Sequence, residues 1–212
     1  MVIKIHGLRA ATCTQGVLAT LEEKGVEYEL VSIDLMKGQH KTPDYLKLHP
    51  FGKIPVLEHD GFFLYESRAI CNYISRLYAS QGTKLTPDVN DLKAYALYEQ
   101  AASVERSYFH ESASKIAYEK IFKLWRGGKT DEAVVAAEAE KLDDVFKGYE
   151  AILAKQQYLA GQEITLADML HVPYGKKIRE LGYKSIFEKY PHVEQWYLRV
   201  EGRDSWKKVF SE

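Results

Sequence analysis

The pattern of hydrophobic and polar positions predicts a strand, a helix and a second strand at the start of the chain. Apolar residues alternate with polar ones over residues 2–6 and 28–33, whereas between these segments they recur at helical spacing. The predicted helix begins near Thr12, a good N-cap residue, and Gly25 is a natural stop for it. A β-α-β order predicts neighbouring parallel strands joined by a right-handed crossover.

Residues 53–70 predict a strand, a tight turn, a return strand and the start of a helix. Pro55 interrupts the first β-prone run, and Asp60-Gly61 supplies the turn because this pair tolerates positive φ. A proline ahead of a strand removes a ladder donor and often marks a cis bond. The preceding residue, Ile54, then keeps backbone groups with which an extended peptide can pair. Ser67 lies at a helix N-terminus, which favours an anion.

Strand signals stop at a polar boundary, residues 80–88, which contains glycine and proline but shows no periodicity. The apolar positions beyond it recur at helical spacing, so we predict an α/β domain over residues 1–79 and an all-helical domain over residues 89–212. Thr165 and Asp168 are spaced as a capping box at the start of a buried helix. Asp168 is therefore predicted to be structural rather than catalytic.

Composition and charge narrow the class of protein. The 212 residues carry a formal net charge of −1, which indicates neither a nucleic-acid partner nor an acidic membrane surface. Two cysteines do not make a disulfide framework, so we expect a reducing compartment. The cytosol is the default expectation, because no long apolar run indicates a signal sequence or a membrane span. The histidines are scattered without ligand spacing, so we expect no metal site.

Two motifs carry a resemblance to a known family. The stretches H-P-F-G-K-I-P, at residues 49–55, and E-S-R-A-I-C-N-Y-I, at residues 66–74, resemble the glutathione-binding core of cytosolic glutathione transferases. The match looks most like the phi class of plants and fungi and covers essentially the whole chain. It implies a thioredoxin-like βαβαββα domain followed by an all-α domain. It also implies glutathione as a co-substrate, with no tightly bound cofactor.

The resemblance further implies how glutathione is bound. The middle residue of the tripeptide would pair with the backbone of Ile54 beside Pro55, and the γ-glutamyl carboxylate would lie at the helix N-terminus with Ser67. Glu66 would take the α-ammonium group. Arg68 joins this set, or else faces the partner subunit or an internal carboxylate. The remaining predicted contacts, to the glycine carboxylate and beside the sulfur, are His40, Lys41, Lys53 and Ala11.

The position expected to activate the thiol departs from the family pattern. Phi-class proteins carry serine where this chain has Ala11, which offers no hydroxyl. Three alternatives follow: the hydroxyl of Thr12 activates the thiol, Cys13 forms a mixed disulfide with glutathione as thiol transferases do, or backbone N–H groups suffice. A transferase-like protein that only binds ligands also stays open, because Ala11 lacks the donor.

The electrophile and a second copy of the chain complete the predicted interactions. We expect a hydrophobic electrophile to lie between the loop residues Leu8 and Arg9 and the helical domain. Phe51, the aromatic residue of the H-P-F-G turn, is expected to anchor a twofold homodimer by inserting into a pocket of the partner. The predicted electrophile-site residues of the helical domain recur at helical spacing and are Tyr108, Phe109, Ser112 and Ile116.

Overall fold

A four-stranded mixed sheet organises the first part of the chain in a computed structural model that describes residues 2–211. Its strands run in the spatial order β2-β1-β3-β4. β1 is parallel to β2, and β3 is antiparallel to both β1 and β4. This topology confirms the predicted thioredoxin-like domain. The strands are β1 (Ile3–Gly7), β2 (Tyr28–Ser32), β3 (Val56–His59) and β4 (Phe62–Tyr65).

Local signals fix the ends of several elements around this sheet. α1 ends at Gly25, whose left-handed φ of 60° confirms the predicted stop. Asp60 and Gly61, with φ values of 52° and 79°, form the predicted turn between β3 and β4. Val56 and Leu57 are both fully buried although successive strand residues point to opposite faces, so both faces of the sheet are covered. The helices of this part are α1 (Thr12–Lys24), α2 (Pro43–Leu48) and α3 (Ser67–Leu77), with a 3₁₀ turn at Gln39–Lys41.

The second part of the chain is helical, as predicted. Two π-helical turns, Glu105–Phe109 and Tyr118–Phe122, join α4, α5 and α6 into one long helix, and a third, Arg179–Tyr183, joins α9 to α10. The helices are α4 (Leu92–Val104), α5 (His110–Ala117), α6 (Lys123–Trp125), α7 (Glu132–Leu153), α8 (Leu166–Met169), α9 (Val172–Ile178), α10 (Lys184–Glu188) and α11 (Pro191–Glu201).

The predicted capping box forms at the start of α8. The fully buried Asp168 carboxylate accepts hydrogen bonds from the Thr165 N–H at 2.8 Å and from the Thr165 hydroxyl at 3.0 Å. It also accepts from the Leu159 N–H and from the indole N–H of Trp196, both at 2.9 Å. Burial raises the pKa of this carboxyl, against the effect of these hydrogen bonds. Asp168 therefore acts structurally, and it connects more of the second unit than a helix cap alone would.

The last helix, α12 (Asp204–Ser211), groups with the sheet and not with the helical part, where the sequence had predicted it. The chain divides into a first unit that runs to Thr86 and resumes at Arg203, and a second unit, Pro87–Gly202.

The carboxylate of Glu23, in α1, explains this grouping. Its side chain is only 5% exposed, and it accepts hydrogen bonds at 2.6 Å from the Arg203 guanidinium, the Ser205 hydroxyl and the Thr83 hydroxyl. These donors lie far from Glu23 in the sequence, so no local sequence pattern predicts these hydrogen bonds. Two of the donors, Ser205 in α12 and Arg203 directly before it, tie α12 to α1, against which it packs.

This cluster predicts an acid-sensitive contribution to stability. Burial acts to raise the pKa of the Glu23 carboxyl, but the hydrogen bonds from Arg203, Ser205 and Thr83 and the charge of Arg203 outweigh it, so the pKa is lowered. The contribution is fully present above the ordinary glutamate pKa of about 4.5 and is lost as the pH falls through the lower folded value. Glu23→Gln is expected to lower the free energy of unfolding by about 1–3 kcal/mol at neutral pH.

Denaturant unfolding of the wild type and Glu23→Gln across this pH range measures the effect, with the exposed Glu27→Gln as the control. The difference between wild type and Glu23→Gln should shrink below about pH 4.5. A difference that stays constant on acidification would contradict this account of Glu23.

Candidate functional site

The pairing of β1 with β3 brings the predicted site segments together in the first unit. The register places Lys4 opposite Glu58 and His6 opposite Val56, so Gly7, at the end of β1, lies beside Pro55. The Ile54–Pro55 peptide bond is cis. The loop after β1, with Leu8 and Arg9 half-buried, and the start of α1 therefore adjoin the entry to β3.

The N-cap of α1 lies one residue before Thr12, the first residue of this helix that carries a hydroxyl group. Ala11 is the N-cap, with φ −80° and ψ 130°, and its carbonyl accepts from the Gln15 N–H at 2.9 Å. Thr12, predicted as the N-cap, is instead the first helical residue and is buried, and Cys13 is a half-buried free thiol. No side chain of the described residues caps this helix. Its first N–H groups are therefore available to an anion.

The N-terminus of α3 repeats this arrangement. Glu66 is its N-cap with a left-handed φ of 72°, and its side chain is exposed and makes no capping hydrogen bond within residues 2–211. Ser67 follows as the first helical residue and is buried, while Arg68 is half-buried. Because α1 and α3 pack against each other, both open N-termini belong to one packed layer of the first unit.

The segment that precedes Ile54 is held by two hydrogen bonds to its carbonyls. The buried hydroxyl of Tyr45 donates to the Lys53 carbonyl at 2.8 Å, and Lys41 Nζ donates to the Phe51 carbonyl at 3.0 Å. Burial raises the pKa of Tyr45 to about 12, so this hydroxyl remains a donor at neutral pH. The turn bends sharply at Gly52, where φ is 56° and an added Cβ would lie 2.6 Å from the His40 carbonyl.

The buried ring of His49 joins these segments and was not among the predicted site residues. It stacks on Tyr65 with a centroid distance of 4.4 Å and meets Phe51 edge-on at 6.1 Å. Burial lowers its pKa; Glu66 opposes this effect, whereas Lys41 and Lys53 add to it. Three predicted binding charges therefore act on one ring. The only sequence signal was its position in the H-P-F-G turn between two predicted site segments.

The four residues predicted for the electrophile site in the second unit separate into two groups. Tyr108 and Ser112 line a cavity of about 640 Å³ in this unit, together with Val104, Val145, Gly148 and Tyr149. Phe109 and Ile116 are core residues, 1% and 0% exposed, and do not line this cavity, so their place in the electrophile site stays a prediction. The π-helical turn at Glu105–Phe109 takes an additional residue, which shifts the phase assumed for an uninterrupted α-helix.

The described residues offer neither a cluster of metal ligands nor a membrane-spanning helix. Among residues 2–211, no three His, Cys, Asp or Glu side chains come together as a metal site would require. Within the same range, none of the helices combines the length and the apolar character needed to cross a bilayer.

Comparison with known proteins agrees with this architecture. Residues 1–76 match the family described as Glutathione S-transferase, N-terminal domain, and residues 100–204 match Glutathione S-transferase, C-terminal domain. Glutathione S-transferase hmp2 of Hypomyces subiculosus is 46% identical over 213 residues, covering 100% of this chain and 99% of its own.

Two solved structures from plants are similar over nearly the whole chain. The crystal structure of glutathione transferase F7 from Populus trichocarpa has a TM-score of 0.95 at 36% identity, covering 99% of this chain and 98% of that one. Glutathione S-transferase I from maize, in complex with an atrazine glutathione conjugate, has a TM-score of 0.92 at 32% identity, covering 100% of this chain and 97% of that one.

The chain therefore belongs to the glutathione S-transferase family. It is a glutathione transferase, and its plant relatives identify it as a phi-type member of that family.

Replacing Tyr45 by Phe is expected to loosen the segment that carries Lys53 and Ile54, because the hydroxyl that holds the Lys53 carbonyl is lost. One such hydrogen bond contributes about 0.5–1.5 kcal/mol to the free energy of unfolding. We also expect the KM for glutathione to rise more than kcat falls. Tyr73→Phe, which removes a bond to His59 at 2.9 Å, is the matched control. An unchanged KM in Tyr45→Phe would contradict a role for this segment in binding.

Proposed function

We propose that the first unit binds glutathione across the entry to β3 and ionises its thiol at the start of α1. The observation that supports this proposal most directly is the pair of helix N-termini without side-chain caps in the described structure, at Ala11 and at Glu66, on helices that pack together. Each favours an anion through its backbone N–H groups and dipole. Of the three anionic groups of ionised glutathione, the thiolate and the γ-glutamyl carboxylate are assigned to these two termini.

The peptide of glutathione is assigned to the segments between these termini. The backbone of Ile54 pairs with the middle residue beside Pro55, and Ser67 with the α3 N–H groups takes the γ-glutamyl carboxylate. Glu66 takes the α-ammonium group, with Arg68 next to it. The glycine carboxylate is neutralised by the basic residues that precede β3, namely His40, Lys41 and Lys53. The electrostatic effects of Lys41, Lys53 and Glu66 on His49 support their grouping.

Activation of the thiol requires only that the thiolate be stabilised relative to the thiol. A hydrogen bond to a charged group contributes roughly 1.5–3 kcal/mol, which corresponds to about one to two pKa units. The first-turn N–H groups of α1 and the hydroxyl of Thr12 supply such donors in this proposal, since Ala11 supplies none. The thiolate then attacks a hydrophobic electrophile that approaches over Leu8 and Arg9. The conjugate bound by the maize relative supports a product of this class.

Conjugation of glutathione to a chloronitrobenzene tests the role of the first turn of α1. Thr12→Val removes the hydroxyl and keeps the branched shape, so kcat/KM should fall by about tenfold, with its pH profile moved upward. Cys13→Ser is the matched variant at the next residue and should retain conjugation, because Cys13 takes no part in it. Loss of activity in Cys13→Ser with retention in Thr12→Val would contradict the proposal and favour thiol-transfer chemistry.

The proposal includes a twofold homodimer in which Phe51 enters the cavity of the partner's second unit. Phe51 is 67% exposed although its ring is braced by His49 and Tyr65. The cavity is bordered largely by apolar groups, including Val104, Val145 and Tyr149, and has room for an aromatic ring. Tyr108 and Ser112 then serve the partner's Phe51 rather than the electrophile.

Light scattering on serial dilution measures the oligomeric state, and two independent variants test this interface. Phe51→Ala removes the anchor, and Gly148→Leu fills the cavity from its wall, because a Cβ on Gly148 meets nothing within 4 Å. Both should convert the dimer to monomer, and Gly148→Leu should do so without loss of helix stability, since leucine favours a helix more than glycine. Lys147→Leu, at an exposed residue that does not line the cavity, is the control. An intact dimer in both variants would exclude this contact.

The cytosol is the compartment we assign to this activity. Cys13 and Cys71 are both free thiols in the structure, which suits a reducing environment.

A further inference from the structure

A close-packed junction lies beside the proposed glutathione site, where β1, α1 and Pro55 meet. A Cβ built on Gly7 would lie 2.8 Å from Oγ1 and 3.0 Å from Cγ2 of Thr14, and 3.4 Å from Cβ of Pro55. The first distance is shorter than any real Cβ tolerates, so only glycine fits at position 7 without a shift of its neighbours.

The junction connects the two halves of the site along the chain. Thr14 follows Cys13 in the first turn of α1, where the thiol is ionised, and Pro55 follows Ile54, where the peptide pairs. Gly7 ends the strand between them, and a Cβ on it would meet both Thr14 and Pro55. The separation of the thiol-binding turn from the peptide-binding backbone therefore depends on how closely these three residues pack.

We infer that Thr14 is a positioning residue for the transferase reaction: its side chain, wedged against Gly7 beside Pro55, fixes the distance between the start of α1 and the backbone of Ile54. The inference rests on the proposed glutathione site. A misplacement of about 1 Å between a bound group and its catalytic partners can cost on the order of a hundredfold in rate. A spacer that holds this distance thus matters without touching the substrate.

The role of Thr14 follows from its shape and not from hydrogen bonding. The residue is fully buried, and its hydroxyl has no hydrogen-bond partner within residues 2–211. Valine has the same branched outline and no hydroxyl, so Thr14→Val preserves the contact with Gly7. Thr14→Ala removes both atoms that a Cβ on Gly7 would meet first, and so leaves space for one added methyl group.

Two compensating substitutions test the spacing. Gly7→Ala should push α1 away from Pro55, lower kcat/KM by about tenfold or more and move its pH profile upward, because the thiolate loses the helix terminus. The double variant Gly7→Ala/Thr14→Ala should recover both kcat/KM and its pH profile. The atoms removed from Thr14 make room for the methyl group added at position 7. Gly128→Ala is the matched control, because an added Cβ there lies 2.8 Å from Lys123 in the second unit.

Calorimetry with S-hexylglutathione, which has no ionisable thiol, separates positioning from folding and from the proposed function. We expect it to bind wild type and every variant, so that the losses appear in thiol ionisation and rate. Failure of the double variant to recover, or a loss in Thr14→Val as large as in Gly7→Ala, would overturn the spacer role. Absence of binding by wild type would defeat the proposed glutathione site, and this inference with it.

Discussion

The register between β1 and β3 is the constraint on which the rest of the first unit depends. Pairing His6 with Val56 sets Gly7 beside Pro55, and this contact brings the start of α1 to the segment around Ile54. A slip of one residue would turn Val56 and Leu57 to the wrong faces of a sheet buried on both sides. The hydrophobic pattern of β3 therefore maintains the geometry of the candidate site, although no side chain of β3 is assigned to glutathione.

In the proposed function, two helix N-termini, those of α1 and α3, each bind one anionic group of the same glutathione molecule. α1 and α3 both begin without a side-chain cap in the described structure, which leaves backbone N–H groups directed at whatever anion is present. An alanine N-cap is a poor choice for helix stability. At Ala11 it offers no hydroxyl donor, yet it also leaves no side-chain oxygen competing for the first-turn N–H groups. In the proposed function, the start of α1 therefore stays open to an anion.

Local chemistry explains what the sequence predicted, and long-range packing explains what it did not. Asp60-Gly61, Gly25 and the Thr165–Asp168 box act within a few residues, so their turns and ends were found from the sequence. The Glu23–Arg203 contact joins residues 180 positions apart, so α12 was assigned to the wrong unit. The π-helical turn at Glu105–Phe109 changes the helical phase from the one that the sequence spacing assumed, which no local pattern indicates. The position of His49 among the candidate site segments is apparent only in the structure, where its ring packs against Tyr65 and Phe51. The candidate binding segments stay predictions, and the close packing of Thr14, Gly7 and Pro55 is apparent only from distances in the structure.

In the proposed function, the first unit captures glutathione by backbone pairing at Ile54 and by anion binding at the N-terminus of α3. Titration calorimetry of glutathione with wild type and with Ser67→Ala tests this proposal most directly. We expect saturable binding at one site per chain, weakened by about tenfold in Ser67→Ala because one hydrogen bond to a carboxylate is lost. Absence of measurable heat with wild type and no competition by S-alkyl glutathiones, or equal affinity in the two proteins, would contradict it.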